Sequence, residues 1–191
     1  MARTARIQRF VLALTVASAG FLASSAAHAD ATGWVHTGGG AMGLHVGPDA
    51  DITLEPTMAV DLGVGTTSQS PFILGGLFRV QPYFNHGVDL GLMGRFATAG
   101  FQKSVIGFAL DLGMYQRWWG EQSTGFMGEV VLAGPLGLQL SAIGEYGSND
   151  SYGFGGVLGL DLARLTIYRE HLLDWWPNPN PDLPKNVGFV W

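Results

Sequence analysis

Ile106-Gly107-Phe108-Ala109-Leu110-Asp111-Leu112-Gly113-Met114 is the stretch that decides the fold. Its bulky apolar residues fall on even numbers, and its odd numbers carry glycine, alanine and an aspartate. Strict alternation at period two is the mark of a strand with two unlike faces. Working outward, the same parity runs along almost the whole chain. The first segment has Trp34, Met42, Leu44 and Val46 with glycines at 38 and 40, and the second has Ile52, Leu54, Met58, Val60, Leu62 and Val64. Phe72, Leu74, Phe78 and Val80 follow, then Val88, Leu90, Leu92 and Phe96. Beyond the stretch quoted come Phe126, Val130 and Leu132, next Leu136, Leu138 and Leu140, and last Phe154, Leu158, Leu160 and Leu162. The pattern predicts eight strands and an all-β chain.

The odd face is a mixture of glycine, small and polar residues. It carries Gly43, His45, Glu55, Thr57, Asp61, Arg79, Gln81, Asp89, Arg95, Asp111, Arg117, Glu129, Gln139, Ser141, Glu145 and Asp161. A water-soluble barrel, such as a lipocalin-like one, would turn the large apolar residues inward and the charges outward. Here the charged face is also the glycine face, and a narrow interior favours glycine and paired charges while lipid favours the bulky face. The expectation is an eight-stranded antiparallel transmembrane β-barrel with inverted polarity.

Composition agrees. The 191 residues include 29 glycines, no cysteine, 12% aromatic and only 13% charged residues. A soluble domain carries about 25% charge, and glycine costs about 1 kcal/mol per helical position relative to alanine. Past the N-terminal segment no apolar run reaches the roughly 18 residues that a spanning helix needs.

That N-terminal segment has its own layout. Arg3, Arg6 and Arg9 precede an apolar stretch from Phe10 to Leu22, and Ala27-His28-Ala29 places small residues ahead of Asp30. This is the arrangement of a secretory signal peptide, expected to span residues 1–29. Its removal takes three of the ten basic residues and none of the fifteen acidic ones, moving the formal charge from −5 to −8. That balance opposes nucleic-acid binding, which needs basic stripes. Without cysteine the exported chain has neither disulfides nor a lipid-attachment thiol, so packing and backbone hydrogen bonds must hold it.

Turn signals separate the strands at Gly47-Pro48-Asp49, Thr66 to Pro71, Asn85-His86-Gly87, Ala97 to Gln102, Gly120 to Thr124, Gly134-Pro135 and Gly147 to Ser151. An N-terminus in the periplasm would put the turns near 48, 86, 121 and 149 outside, all of them short. Aromatics near segment ends, among them Trp34, Phe72, Tyr83, Phe84, Phe101, Trp118, Trp119, Tyr146 and Tyr168, are expected to form interfacial girdles. Val60-Asp61-Leu62-Gly63, Val88-Asp89-Leu90-Gly91, Leu110-Asp111-Leu112-Gly113 and Leu160-Asp161-Leu162-Ala163 repeat one local solution, an inward Asp between outward aliphatics.

Together these features resemble the small outer-membrane β-barrels of Gram-negative bacteria, the class that includes the OmpA-like and OmpX-like barrels. The resemblance is one of pattern and covers Gly33 to Tyr168. It implies the bacterial outer membrane as the location, outer-membrane lipid and the barrel-assembly machinery as partners, and a barrel over residues 30–169. Such barrels usually end on an aromatic residue of the last strand, whereas this chain runs on from Tyr168 to Trp191. Asn186 to Trp191 is too short for a spanning strand and too close to Pro177, Pro179, Pro181 and Pro184.

Residues 170–191 are therefore expected to form a Pro/Trp-rich periplasmic tail without an assignable partner. Glu170 to Trp176 could form a short interfacial helix anchored by Trp175 and Trp176, followed by an extended proline stretch. A disordered tail and a lumen plug are the alternatives.

For chemistry the inventory is thin. Of the mature histidines, His36 has no serine two residues along its strand, His45 is expected in the lumen, His86 lies in a turn and His171 in the tail. No His-x-x-x-His pair or cysteine suggests a metal site, and neither catalytic residues nor a cofactor are expected. The odd face holds seven acids, Glu55, Asp61, Asp89, Asp111, Glu129, Glu145 and Asp161, against Arg79, Arg95 and Arg117. Buried carboxylates must pair with arginine, take up protons, hold a cation or be wetted. An ion-pair network in a side-chain-filled lumen implies a structural or interaction role. A narrow, porin-like, cation-preferring channel is the runner-up, and an outer-membrane lipid hydrolase or acyltransferase the third.

Overall fold

A computed structural model describes residues 31–67, 70–103 and 106–166. Eight antiparallel strands follow one another: β1 (Thr32–His45), β2 (Thr53–Gly65), β3 (Phe72–Pro82), β4 (Val88–Thr98), β5 (Gly107–Arg117), β6 (Thr124–Ala133), β7 (Leu138–Gly147) and β8 (Ser151–Asp161). Each pairs with the next, and β1 pairs back onto β8, so the sheet closes into a barrel without free edges. Two short helices lie at the end that bears the termini, α1 (Gly100–Lys103) after β4 and α2 (Leu162–Thr166) after β8. A 3-10 turn, Pro135–Gly137, joins β6 to β7. At the opposite end the hairpins are tight, and Asn149 and Asp150 take the left-handed conformation that a short β7–β8 link requires.

The register fixes the shape. Followed from partner to partner, the row that leaves Trp34 passes Gly63, Leu77, Met93, Gly113, Met127, Glu145 and Gly153. It returns to β1 at Leu44, ten residues further on. This stagger tilts the strands and sets an interior that side chains fill. The closing seam is tight: a Cβ on Gly40 of β1 would stand 1.9 Å from the Gly156 carbonyl oxygen of β8, so only glycine fits.

From β2 to β8 the odd residues point inward and the even ones outward. Strand β1 departs from that parity. His36 faces both Asp61 and Asp161 across its two ladders, so an even number on β1 shares a side with odd numbers on its neighbours. Trp34, Met42 and Leu44, expected outside, are buried inside. His45, expected inside, shares its face with Tyr152 and stacks on it with ring centroids 4.5 Å apart. Alternation gives the period of a strand, but its pairing partners decide which face is in.

The interior is packed rather than hollow. One cluster joins Met42, Leu44, Leu77, Tyr83, Met93, Tyr115, Met127, Ile143 and Val157. A second, toward the termini, joins Trp34, Ile73, Ala97, Phe101, Ala109, Val131 and Ala133. Ala97 to Gln102 is more than a turn, because α1 tucks Phe101 into the bore and Gln102 donates to the Gly33 carbonyl at 3.1 Å.

Candidate functional site

All ten charged residues expected in the lumen are buried, the most accessible being Glu55 at 7%. They form two arginine-centred clusters and two satellites.

In the cluster nearer the termini, Arg79 grips Asp61 with two donors, Nε and Nη2, each at 2.7 Å. The same Nη2 crosses the bore from β3 to donate to Glu129 on β6 at 2.6 Å. His36 Nδ1 adds a contact to Asp61 at 3.0 Å. Alongside, Arg95 holds Asp111 through Nε and Nη2 at 2.7 and 2.6 Å. The Arg95 guanidinium lies over the rings of Trp34 and Phe101, 5.1 and 5.0 Å from their centroids. Asp111 and Glu129 are register partners, as their places on consecutive strands suggest, and each carboxylate takes a different arginine.

In the cluster nearer the tight hairpins, Arg117 donates to Asp89 from Nη2 at 2.6 Å and to Glu145 at 2.8 Å, while its Nη1 reaches Ser151 at 2.9 Å. Trp119 covers this group. Its indole N–H donates to Asp89 at 3.0 Å, and its ring lies 4.8 Å from the Arg117 guanidinium and stacks on His86 at 4.7 Å. Fork-shaped pairs of this kind are the strongest way to hold carboxylates away from water.

The satellites account for the acids that no arginine serves. Glu55 pairs with His86 at 3.0 Å and accepts from the Asn85 amide at 3.1 Å. Asp161 accepts the backbone N–H groups of Ala163 and Arg164 at 2.9 and 3.3 Å, capping α2, and accepts from Gln139 at 3.3 Å. Three arginines thus serve five carboxylates, and imidazole, amides and a helix start serve the other two. The composition shows the acid excess but not this division, because His36, Asn85, His86, Gln139 and the α2 backbone carry no signal that assigns them to particular acids.

The aromatics divide in a way the chain order does not show. Trp118 stands outside, 54% exposed, with Phe84, Phe126 and Tyr146. Trp34, expected at an interface, is 1% exposed because β1 turns its even side inward. Trp119 is drawn into the mouth by Asp89, and Tyr83 and Phe101 are buried in the bore as well. Tyr168, Trp175 and Trp176, like the signal segment and the tail, lie outside the described residues.

For reaction chemistry the arrangement offers a buried His36–Asp61 pair whose imidazole Nε2 has no hydrogen-bond partner. The buried Ser123 hydroxyl is engaged elsewhere, by Tyr115 at 3.2 Å and the Ser148 carbonyl at 3.0 Å. Among the described residues no three His, Cys, Asp or Glu side chains converge as metal ligands. What the geometry does is join strands that are not neighbours: β3 to β6, and β5 to β7 and β8.

The class that fold and site define is a closed eight-stranded antiparallel barrel with an ion-paired, side-chain-filled bore and an apolar exterior. The chain matches no protein-family model, no curated protein and no solved structure.

Proposed function

We propose that this chain is an outer-membrane β-barrel protein of a Gram-negative bacterium, exported by its first 29 residues, with lipid around its wall and a structural or interaction role. One observation carries the reading. Every Asp, Glu and Arg within the strands is buried in the bore, while Leu54, Leu62, Leu74, Leu112, Phe126 and Phe154 stand half exposed or more on the outside. In water that distribution leaves a continuous apolar surface far larger than the few hundred Å² a soluble monomer tolerates. In lipid it needs no further cover.

The strands support it, since they run 10 to 14 residues and a tilted spanning strand needs about 9 to 11. Closure into a barrel also satisfies the backbone without water. No helix among the described residues is long and apolar enough to cross a membrane, which leaves the strands to do so. With all seven strand carboxylates engaged and Phe101 seated in the bore, the lumen serves to hold the wall rather than to pass ions.

Fractionation of expressing cells tests the location: the processed chain should pellet with membranes and come off only in detergent, and its recovery as a freely dissolved monomer overturns the reading. Planar bilayers test the closed bore, where wild type should give no ohmic current. A cation-selective current abolished by Asp111→Asn would establish the channel instead, and release of fatty acid from outer-membrane lipid would establish an enzyme.

A further inference from the structure

The outer wall of strands β5 to β7 carries a groove of about 500 Å³, within the 300 to 1,000 Å³ range of small-molecule sites. Its floor is Gly128 and Gly144, register partners on outward positions, and its sides are Leu112, Phe126 and Tyr146. A Cβ on Gly144 would meet nothing within 4 Å. Phe126 and Tyr146 are also partners, 71% and 68% exposed, and stand as a ridge on the side of the tight hairpins. The outward positions beyond stay small, for Ala142 pairs with Gly156 and Gly156 with Ala41 across the seam. From β6 to β1 this floor spans three strand spacings of about 4.8 Å each, about 14 Å in all.

Those dimensions select the occupant. The only ionisable side chains along the groove are Tyr146 and Glu145, and Glu145 holds its carboxylate against Arg117 inside at 2.8 Å, so nothing charged faces outward to recognise an ion or a polar head. A packed helix would need about 8 to 10 Å between axes, more than a trough one or two strands wide provides behind its aromatic ridge. One leaflet of a hydrocarbon core is about 15 Å deep, close to the length of the floor. The groove is also continuous with the apolar belt of the wall. We propose that it seats one acyl chain of a bilayer lipid, laid on the bare backbone of Gly128 and Gly144 and held by Phe126 and Tyr146. This rests on the lipid-facing reading of the exterior.

The test uses the full chain in phosphatidylcholine and phosphatidylglycerol vesicles, released into the gas phase for native mass spectrometry. Wild type should keep one lipid adduct from either vesicle. Gly144→Leu, which fills open space, and Phe126→Ala, which removes a wall, should each lower its occupancy roughly tenfold, equal to about 1.4 kcal/mol. Gly94→Leu, on an exposed outward position of β4 away from the groove, should keep it. Equal adducts in wild type and Gly144→Leu overturn the proposal, as does retention from one headgroup alone, which marks a polar site. A dimer lost in Gly144→Leu overturns it in favour of a second copy. A chain that never enters vesicles overturns the lipid-facing reading itself, a failure distinct from an inserted barrel without an adduct.

Discussion

Arg79 shows how few side chains organise the bore. Its guanidinium satisfies Asp61 beside it and Glu129 across from it, so its removal strands two buried carboxylates at once. Arg79→Leu should therefore cost at least the 3–5 kcal/mol typical of breaking a buried pair. The triple variant Arg79→Leu, Asp61→Asn, Glu129→Gln should recover most of that, because no uncompensated charge remains. Urea unfolding of the detergent-solubilised barrel checks both, and equal losses would mean that Arg79 matters through its packing alone. The ten lumen charges were legible as a set from parity, but their partners were not, since Arg79 and Glu129 lie fifty positions apart.

At the scale of elements, β2 to β8 could be read from alternation because bulky and charged residues mark opposite faces. In β1, Gly38, Gly39, Gly40 and Gly43 record no face, and the large residues that remain, Trp34, Met42 and Leu44, are apolar without being outward. One signal was there: His36 shares their parity, while Val35, Thr37, Gly39 and Ala41 on the other side carry no charge. The helix α1 was illegible for a different reason, its four residues being too few for a periodic pattern. Its seat depends on Gly107, where a Cβ would stand 2.2 Å from the Phe101 Cα. Gly107→Ala should thus displace Phe101 and destabilise the barrel by about as much as Phe101→Ala itself, about 3–5 kcal/mol. Neither variant should conduct, because the Arg117 cluster still fills the other end. Unfolding midpoints and bilayer recordings on both variants check this, and a current from either would place the seal at Phe101.

For the whole molecule the decisive contrast is between lipid and water outside the wall. Leu92 points outward from β4, 47% exposed. Under lipid, Leu92→Arg should cost up to about 2–4 kcal/mol, depending on depth, whereas an exposed substitution in water stays within about 0.5 kcal/mol. Reversible unfolding from vesicles measures the difference, and a neutral result would refute the inverted polarity.

The crossing arginines also bear on how the cylinder comes apart. Arg79 ties β3 to β6, and Arg117 ties β5 to β7 and β8, while β1 finds its second neighbour only when β8 arrives. No hairpin can leave without orphaning an ion in its former companions, so peeling from one side has no cheap first step. The wall should open all at once, with tryptophan emission and circular dichroism following a single shared transition. Assembly then inherits the mirror constraint: the charges become tolerable only at the moment the ring shuts.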